Sequence, residues 1–189
     1  MRVERFRLEP SQPITRDYIY EYASVASLYE HNPWNEASER ERAAWLGHES
    51  RPRADRDGLV KALLAYNESI GNGEAAIRHI EALRDRVTLV AIGGQQAVLF
   101  SGPLLVVYKA ITVIAEAKQA SERLGRQVVP VFWIAGEDHD LDEANHTYVL
   151  TDALAAQKIK LNAAQDKKSS VSKWTISPEA WEDALGQLE

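Results

Sequence analysis

Seven titratable side chains follow a single glycine at the end of an apolar run. In VVPVFWIAGEDHDLDEANH, Val128 to His146, Gly136 is succeeded by Glu137, Asp138, His139, Asp140, Asp142, Glu143 and His146. Three chemistries fit these residue types. A neutral imidazole at His139 can take a proton from an attacking amine, with Glu137, Asp138 or Asp140 orienting the ring. Asp138, His139 and His146 can instead offer nitrogen and oxygen ligands to zinc, manganese or magnesium, although their spacing matches no closed-site signature. Or Asp140 and Asp142 simply cap the helix that follows. Residue types alone leave all three open.

A second stretch, GGQQAVLFSGP from Gly93 to Pro103, carries groups suited to an anion. It leads into a helix whose first unpaired N–H groups and dipole favour a phosphate or carboxylate. Gly102 lets backbone approach a ligand, Gln95 and Gln96 supply neutral donors and acceptors, and Lys109 lies nearly two turns into the helix. The stretch is neither G-x-x-x-x-G-K-[ST] nor G-x-G-x-x-G. A plain strand-to-helix connection, with the amides satisfying local backbone, is the competing reading.

Both stretches sit where a strand should end. VTLVAI, from Val87, is a β-branched run without helical period, and Gly93 and Gly94 predict a tight turn after it. Pro103 is placed as the first residue of a long helix closed by Gly125, and VVPVFWI is a second strand, weakened at Pro130. Strand, helix, strand predicts a parallel pair, so both stretches emerge at one sheet edge, where open α/β sheets bind ligands. Two strands leave apolar surface uncovered, so the unit reads as the start of a larger sheet.

The region 1–86 reads as a helical segment packing on this α/β core, which occupies 87–189. Thr15 is positioned to cap a helix through RDYIYEYASVASLYEH, with Tyr18, Tyr22, Val25 and Tyr29 at helical spacing as core residues. NEASERERAAWLGH is a charged helix, ESRPRADRDG a polar connector, and Gly71 and Gly73 punctuate two further helices. His31, His48 and His79 are isolated and read as surface or satisfied structural residues. HTYVL and QKIKLNA are short strands, and Ser177 with Pro178 opens a terminal helix.

With 189 residues, 45% hydrophobic and 26% charged, the chain can bury a core in one domain or slightly more. A formal charge of −6 gives no reason to expect nucleic acid or an anionic membrane as partner. The absence of cysteine removes disulfides, thiolate metal sites and a thiol nucleophile, and fits a reducing compartment. Without a secretory h-region or a membrane-length apolar run, the expectation is a soluble, cytoplasmic protein.

GGQQAVLFSGPLLVVYKAI and VVPVFWIAGEDHDLDEANHTYV together resemble the cysteine-adding enzymes of bacillithiol biosynthesis, the cysteine ligases of that pathway. The resemblance implies a Rossmann-like, nucleotide-binding α/β core akin to class I aminoacyl-tRNA synthetases. It implies joining of the L-cysteine carboxyl to the amine of glucosaminyl-malate, with ATP, and magnesium with it, as the activating substrate. The positions that match the family's motifs are Gln95, Gln96, Gly102, Pro103, Tyr108, Lys109, Trp133, Glu137, Asp138, His139, Asp140, Asn145 and His146. By their chemistry, His139, Asp138 and Asp140 are expected as the acid-base group and the others as substrate and nucleotide contacts. The chain departs from the family at Gly93, Val98 and Leu105, where Thr, Gly and Tyr are favoured, and a β-branched Val98 resists a positive φ. Family chains are more than twice as long and dimerise through a C-terminal coiled coil, so the expectation is an N-terminal fragment or a truncated relative. A non-catalytic ligand- or partner-binding remnant and a divalent-metal hydrolase are the alternative functions.

Overall fold

A computed structural model describes residues 7, 9–48, 54–162 and 169–188. The chain divides into two compact units, Met1–Ala54 and Asp55–Glu189. The first unit contains α1 (Pro13–Tyr20), α2 (Tyr22–Val25) and α3 (Glu36–Leu46). Thr15 does not cap its helix. Pro13, with φ already fixed and no N–H to leave unpaired, starts α1 one step after an extended Gln12. The run then breaks at Glu21, which leaves helical geometry at φ −137° and ψ 46°, so one expected helix becomes two. The tyrosines expected in the core are not buried; they pack on one another at the surface, the Tyr18 ring 4.9 Å from Tyr29 and 5.8 Å from Tyr22, and of the four expected residues only Val25 is buried. Tyr22 also donates to the His31 carbonyl at 3.0 Å, and Trp34 Nε1 to the Tyr18 carbonyl at 3.0 Å. The His31 ring is not satisfied as expected. Its nitrogens have no hydrogen-bond partner, and Nδ1 stands 3.8 Å from Glu41.

The second unit opens with α4 (Arg56–Ser69) and α5 (Glu74–Ala82), separated at Gly71 and Gly73 as the sequence predicts. The polar connector before α4 lies partly outside the described residues, at 49–53, and its Asp55 caps α4 by accepting from the Gly58 amide at 3.1 Å. Then follow β1 (Leu89–Gln96), α6 (Leu104–Leu124), β2 (Val128–Ala135), the single-turn α7 (Leu141–Ala144), β3 (His146–Leu150), β4 (Ala156–Lys160) and α8 (Pro178–Gly186). The second expected tail strand is β4, which ends at Lys160; Ala163 lies outside the described residues. Ser177 caps α8 as expected, accepting from the Ala180 amide.

β1 and β2 are parallel, in register from Leu89 opposite Val128 to Gln96 opposite Ala135. Alternation along the strands supplies two buried faces. Leu89, Ala91 and Val128 pack with Ala117, Ala120 and Leu124 of α6. Val129 and Val131 pack with Val60, Ile77, Ile80 and Leu83 of the α4–α5 side. Arg56 secures the approach to β1: its guanidinium donates to the carbonyls of Leu83, Asp85 and Thr88 at 2.9–3.1 Å. The pair is the only parallel ladder among the described residues, and Ile92 and Ile134 are 67% and 63% exposed, which matches the expected uncovered sheet.

One expectation fails at the end of β1. Gly93 and Gly94 are not a turn; the strand runs through both to Gln96, because β2 continues beside it and keeps Gly93 opposite Phe132 and Gly94 opposite Trp133. Their role is close approach. A Cβ on Gly93 would lie 2.4 Å from Val113 Cγ2, and one on Gly94 3.0 Å from the Trp133 carbonyl. Packing, and not a turn, is thus what glycine serves at these two positions. Pro103 sits at the N-cap, one position before α6 begins, and Gly125 ends the helix at φ 61°, a left-handed cap.

Val113 is β-branched in a helix and cannot easily change rotamer, so Gly93→Ala should cost about 1–3 kcal/mol by overpacking. Adding Val113→Ala should recover part of that loss in a double-mutant cycle of urea unfolding. Strictly additive effects would contradict the contact.

Candidate functional site

The parallel register delivers two loops to one edge, and a hydrogen bond joins them. Gln96, the last residue of β1, donates through Nε2 to Asp138 Oδ2, three residues beyond the end of β2. The other oxygen, Asp138 Oδ1, accepts the amide of His139 at 2.6 Å and that of Asp140 at 3.3 Å. His139 Nδ1 stands 3.3 Å from the same oxygen. The His139 amide is the largest cause holding the Asp138 carboxyl below its ordinary value of 3.8, against a smaller opposing effect of desolvation. The Asp140 amide, the imidazole and Gln96 add to the lowering. Asp138 is thus an acceptor and an anion at neutral pH, suited to orienting an imidazole and unsuited to giving up a proton.

On the other loop, Lys109 Nζ reaches back from α6 to Gln95 Oε1 at 2.8 Å, placing a cation beside the end of β1. Val98 is extended at φ −142°, so its β-branch is unstrained where the family favours glycine. The unusual backbone lies further on: Phe100, Ser101 and Gly102 have φ of 50°, 65° and 65°. Two non-glycine residues in that region are costly and persist only where packing compels them. Here the packing is visible. Leu99 and Phe100 belong to a cluster with Ile159, Leu161 and Ala184, and the Phe100 ring lies 5.3 Å from Trp181. At Gly102 a Cβ would fall 2.8 Å from Val98 Cγ2, so glycine is required by both φ and space.

The remaining predicted residues divide. Pro103 occupies the N-cap position of α6 without a capping side-chain bond, and Tyr108 and Trp133 are exposed. Glu137 is exposed. The Asp140 carboxylate accepts the Glu143 amide at 3.2 Å and so caps α7, leaving Asp138 as the carboxylate set against His139. Asn145 is buried and accepts the Leu161 amide through its carbonyl, while its side-chain oxygen lies 3.3 Å from His146 Nδ1. These two belong to the β3–β4 hairpin, antiparallel from His146 opposite Lys160 to Leu150 opposite Ala156. Among the described residues no group of three or more His, Asp or Glu is arranged to hold a metal ion, so the three-ligand set of Asp138, His139 and His146 does not assemble.

Sequence reasoning passed over Ser170, Val171 and Ser172, which bind the loop from the far side. Ser170 Oγ and the Ser172 amide donate to the Gly136 carbonyl at 2.6 and 2.8 Å, and the Val171 amide donates to the Asp138 carbonyl at 2.8 Å. Only a run of small hydroxylic residues marks them in the sequence. An open groove elsewhere, lined by Asp57, Lys61, Glu68 and Arg84 among others, includes no residue of either strand-end loop. Its Arg84 is already paired with Asp57 and Glu81 at 3.1 and 2.7 Å, so it reads as a salt-bridged helix surface and the chemistry stays with the sheet edge.

A carboxyl with a depressed folded-state pKa contributes stability above its unfolded value and loses it as pH falls through the folded one. The melting-temperature difference between wild type and Asp138→Asn should therefore be largest near pH 6 and shrink as pH drops below the ordinary carboxylate range. Thermal unfolding from pH 2 to 6 measures this, and a difference independent of pH would contradict the charge-based account.

With this geometry in hand, the whole chain, residues 1–189, matches the family described as Bacillithiol biosynthesis BshC, N-terminal Rossmann-like domain. Similar proteins named "Putative cysteine ligase BshC" include one from Bacillus cytotoxicus, 41% identical over 170 residues, covering 90% of this chain and 31% of the relative. One from Bacillus cereus is 41% identical over 173 residues with the same coverage. One from Halalkalibacterium halodurans is 42% identical over 145 residues, 77% of this chain and 26% of the relative. The chain thus spans about 31% of the length of the first two relatives. It belongs to the BshC family of bacillithiol biosynthesis, as the N-terminal Rossmann-like domain of that family.

Proposed function

We propose that this domain supplies the proton-accepting edge of a cytoplasmic ligase that joins the carboxyl of L-cysteine to the amine of glucosaminyl-malate. The observation that carries the reading is the Asp138–His139 pair, fixed to the end of β1 by Gln96. An amine attacking a carboxyl must lose a proton, and neutral imidazole accepts it at neutral pH. In this reading the Asp138 carboxylate, 3.3 Å from Nδ1, orients the ring and leaves Nε2 as the base. The Asp138 carboxylate then lies beside the positive charge that develops on the ring as the amine gives up its proton.

A free carboxylate does not condense with an amine unaided, and ATP supplies the activation when bound. The group of donors at the other loop suits its phosphates. Gly102 carries no side chain, the first turn of α6 presents backbone N–H groups, and Lys109 brings a positive charge close to Gln95. Trp133 and Tyr108, both exposed, offer aromatic surface near the same strand and helix ends. Dimerisation of the complete enzyme through a C-terminal region belongs to the same proposal.

The protein expressed from its complete reading frame, given ATP, cysteine and glucosaminyl-malate, should yield the cysteinyl amide, detected by mass as the two substrates less one water. His139→Ala should lower turnover by roughly 100-fold or more while the melting temperature stays near wild type. Turnover within a few-fold of wild type would remove His139 as the base. Ligand binding without any amide would favour the non-catalytic alternative.

A further inference from the structure

The loop that carries Asp138 and His139 is short and ends in an acidic, self-repelling run, yet it is held in one shape. Three donors from a segment 34 residues downstream do this. The amides of Val171 and Ser172 reach the carbonyls of Asp138 and Gly136, and the Ser170 hydroxyl reaches Gly136 as well, at 2.6 Å. Gly136 itself leaves room for the segment, because a Cβ there would lie 3.3 Å from Ser172 Cβ. Ser170 Oγ is also 2.8 Å from Ser172 Oγ. A hydroxyl has one hydrogen, and the Gly136 carbonyl has none, so Ser170 gives its proton to Gly136 and Ser172 donates to Ser170. The two serines form a directed chain that ends on the loop.

We propose that Ser170 is a positioning residue for the proton-accepting pair: its hydroxyl fixes the Gly136 carbonyl and thereby the backbone that sets Asp138 against His139. The inference rests on the reading of that pair as the reaction site. The two backbone amides of the segment hold the loop's position in any variant, but only the hydroxyl fixes the Gly136 peptide plane from a side chain. Small misplacements of a reacting group cost rate out of proportion to stability.

The test uses the protein from its complete reading frame with 13C-labelled histidine. Ser170→Ala should displace the His139 ring resonances and lower kcat on the order of tenfold with each KM within twofold. Ser170→Thr, which keeps the hydroxyl, should return both to near wild type. Unmoved His139 resonances in Ser170→Ala overturn the proposal whatever the turnover, and displaced resonances with unchanged kcat overturn the role in the reaction. If wild type forms no amide, the ligase reading fails, and the resonances alone then decide whether Ser170 positions the pair. Should Ser170→Ala not fold, Ser172→Ala removes the donor to Ser170 and leaves the Gly136 bond, and should give a smaller displacement in the same direction. None there would overturn the proposal equally.

Discussion

Eight consecutive residue pairs between β1 and β2, all in parallel register, are what the rest of the arrangement depends on. Parallel strands end at the same edge, so the register decides that Gln96 and the Asp138 loop meet there. A slip of one residue would turn Val128 and Val129 to the wrong faces and set Gln96 beside a different backbone position. The helices on either face enforce the register: Val129 is committed to the α4–α5 core, and Val128 to α6. Gly93 leaves room for Val113 of α6, the same helix whose Lys109 donates to Gln95.

The tail completes what the strands begin. Beyond the contacts the two loops make locally, each is also fixed by later sequence. Ile159, Leu161, Ala184 and Trp181 pack on Leu99 and Phe100 and so hold Phe100 in a backbone conformation that isolated residues avoid. Ser170 to Ser172 hold Gly136 to Asp138 by hydrogen bonds to both carbonyls. Apolar packing anchors the loop beside Lys109, and polar contacts anchor the acidic one. The difference suits their contents, since burying Asp138 in an apolar cluster would raise its pKa, whereas backbone amides lower it.

Much of this was legible from residue types. The β-branched run at Val128, Gly125 closing a long helix, and Ser177–Pro178 opening the last one appear where local chemistry places them, and the run from Val87 becomes a strand two residues later, at Leu89. The failures have physical causes. Gly93 and Gly94 look like a turn because glycine favours turns, but what they serve is close approach, of the α6 side chain Val113 at Gly93 and of the Trp133 carbonyl of β2 at Gly94. Thr15 is a good cap in isolation, yet Pro13 opens the helix first. Val98 threatened strain that the backbone avoids by placing its positive φ values two residues later, at Phe100 and beyond. Of the acidic cluster, the sequence could not say which carboxylate meets His139; amide geometry selects Asp138 and sends Asp140 to cap α7. Ser170 carried only the weak mark of a serine-rich run, because its role lies in a contact across 34 residues.

The central claim is that the two strand-end loops form one ligand-binding edge. Hydrogen exchange read by mass spectrometry, with and without ATP, tests it most directly. Protection should rise together across residues 96–106 and 135–141 and leave the α4 groove around Lys61 unchanged. Protection in only one loop, or protection centred on that groove, would contradict a shared site.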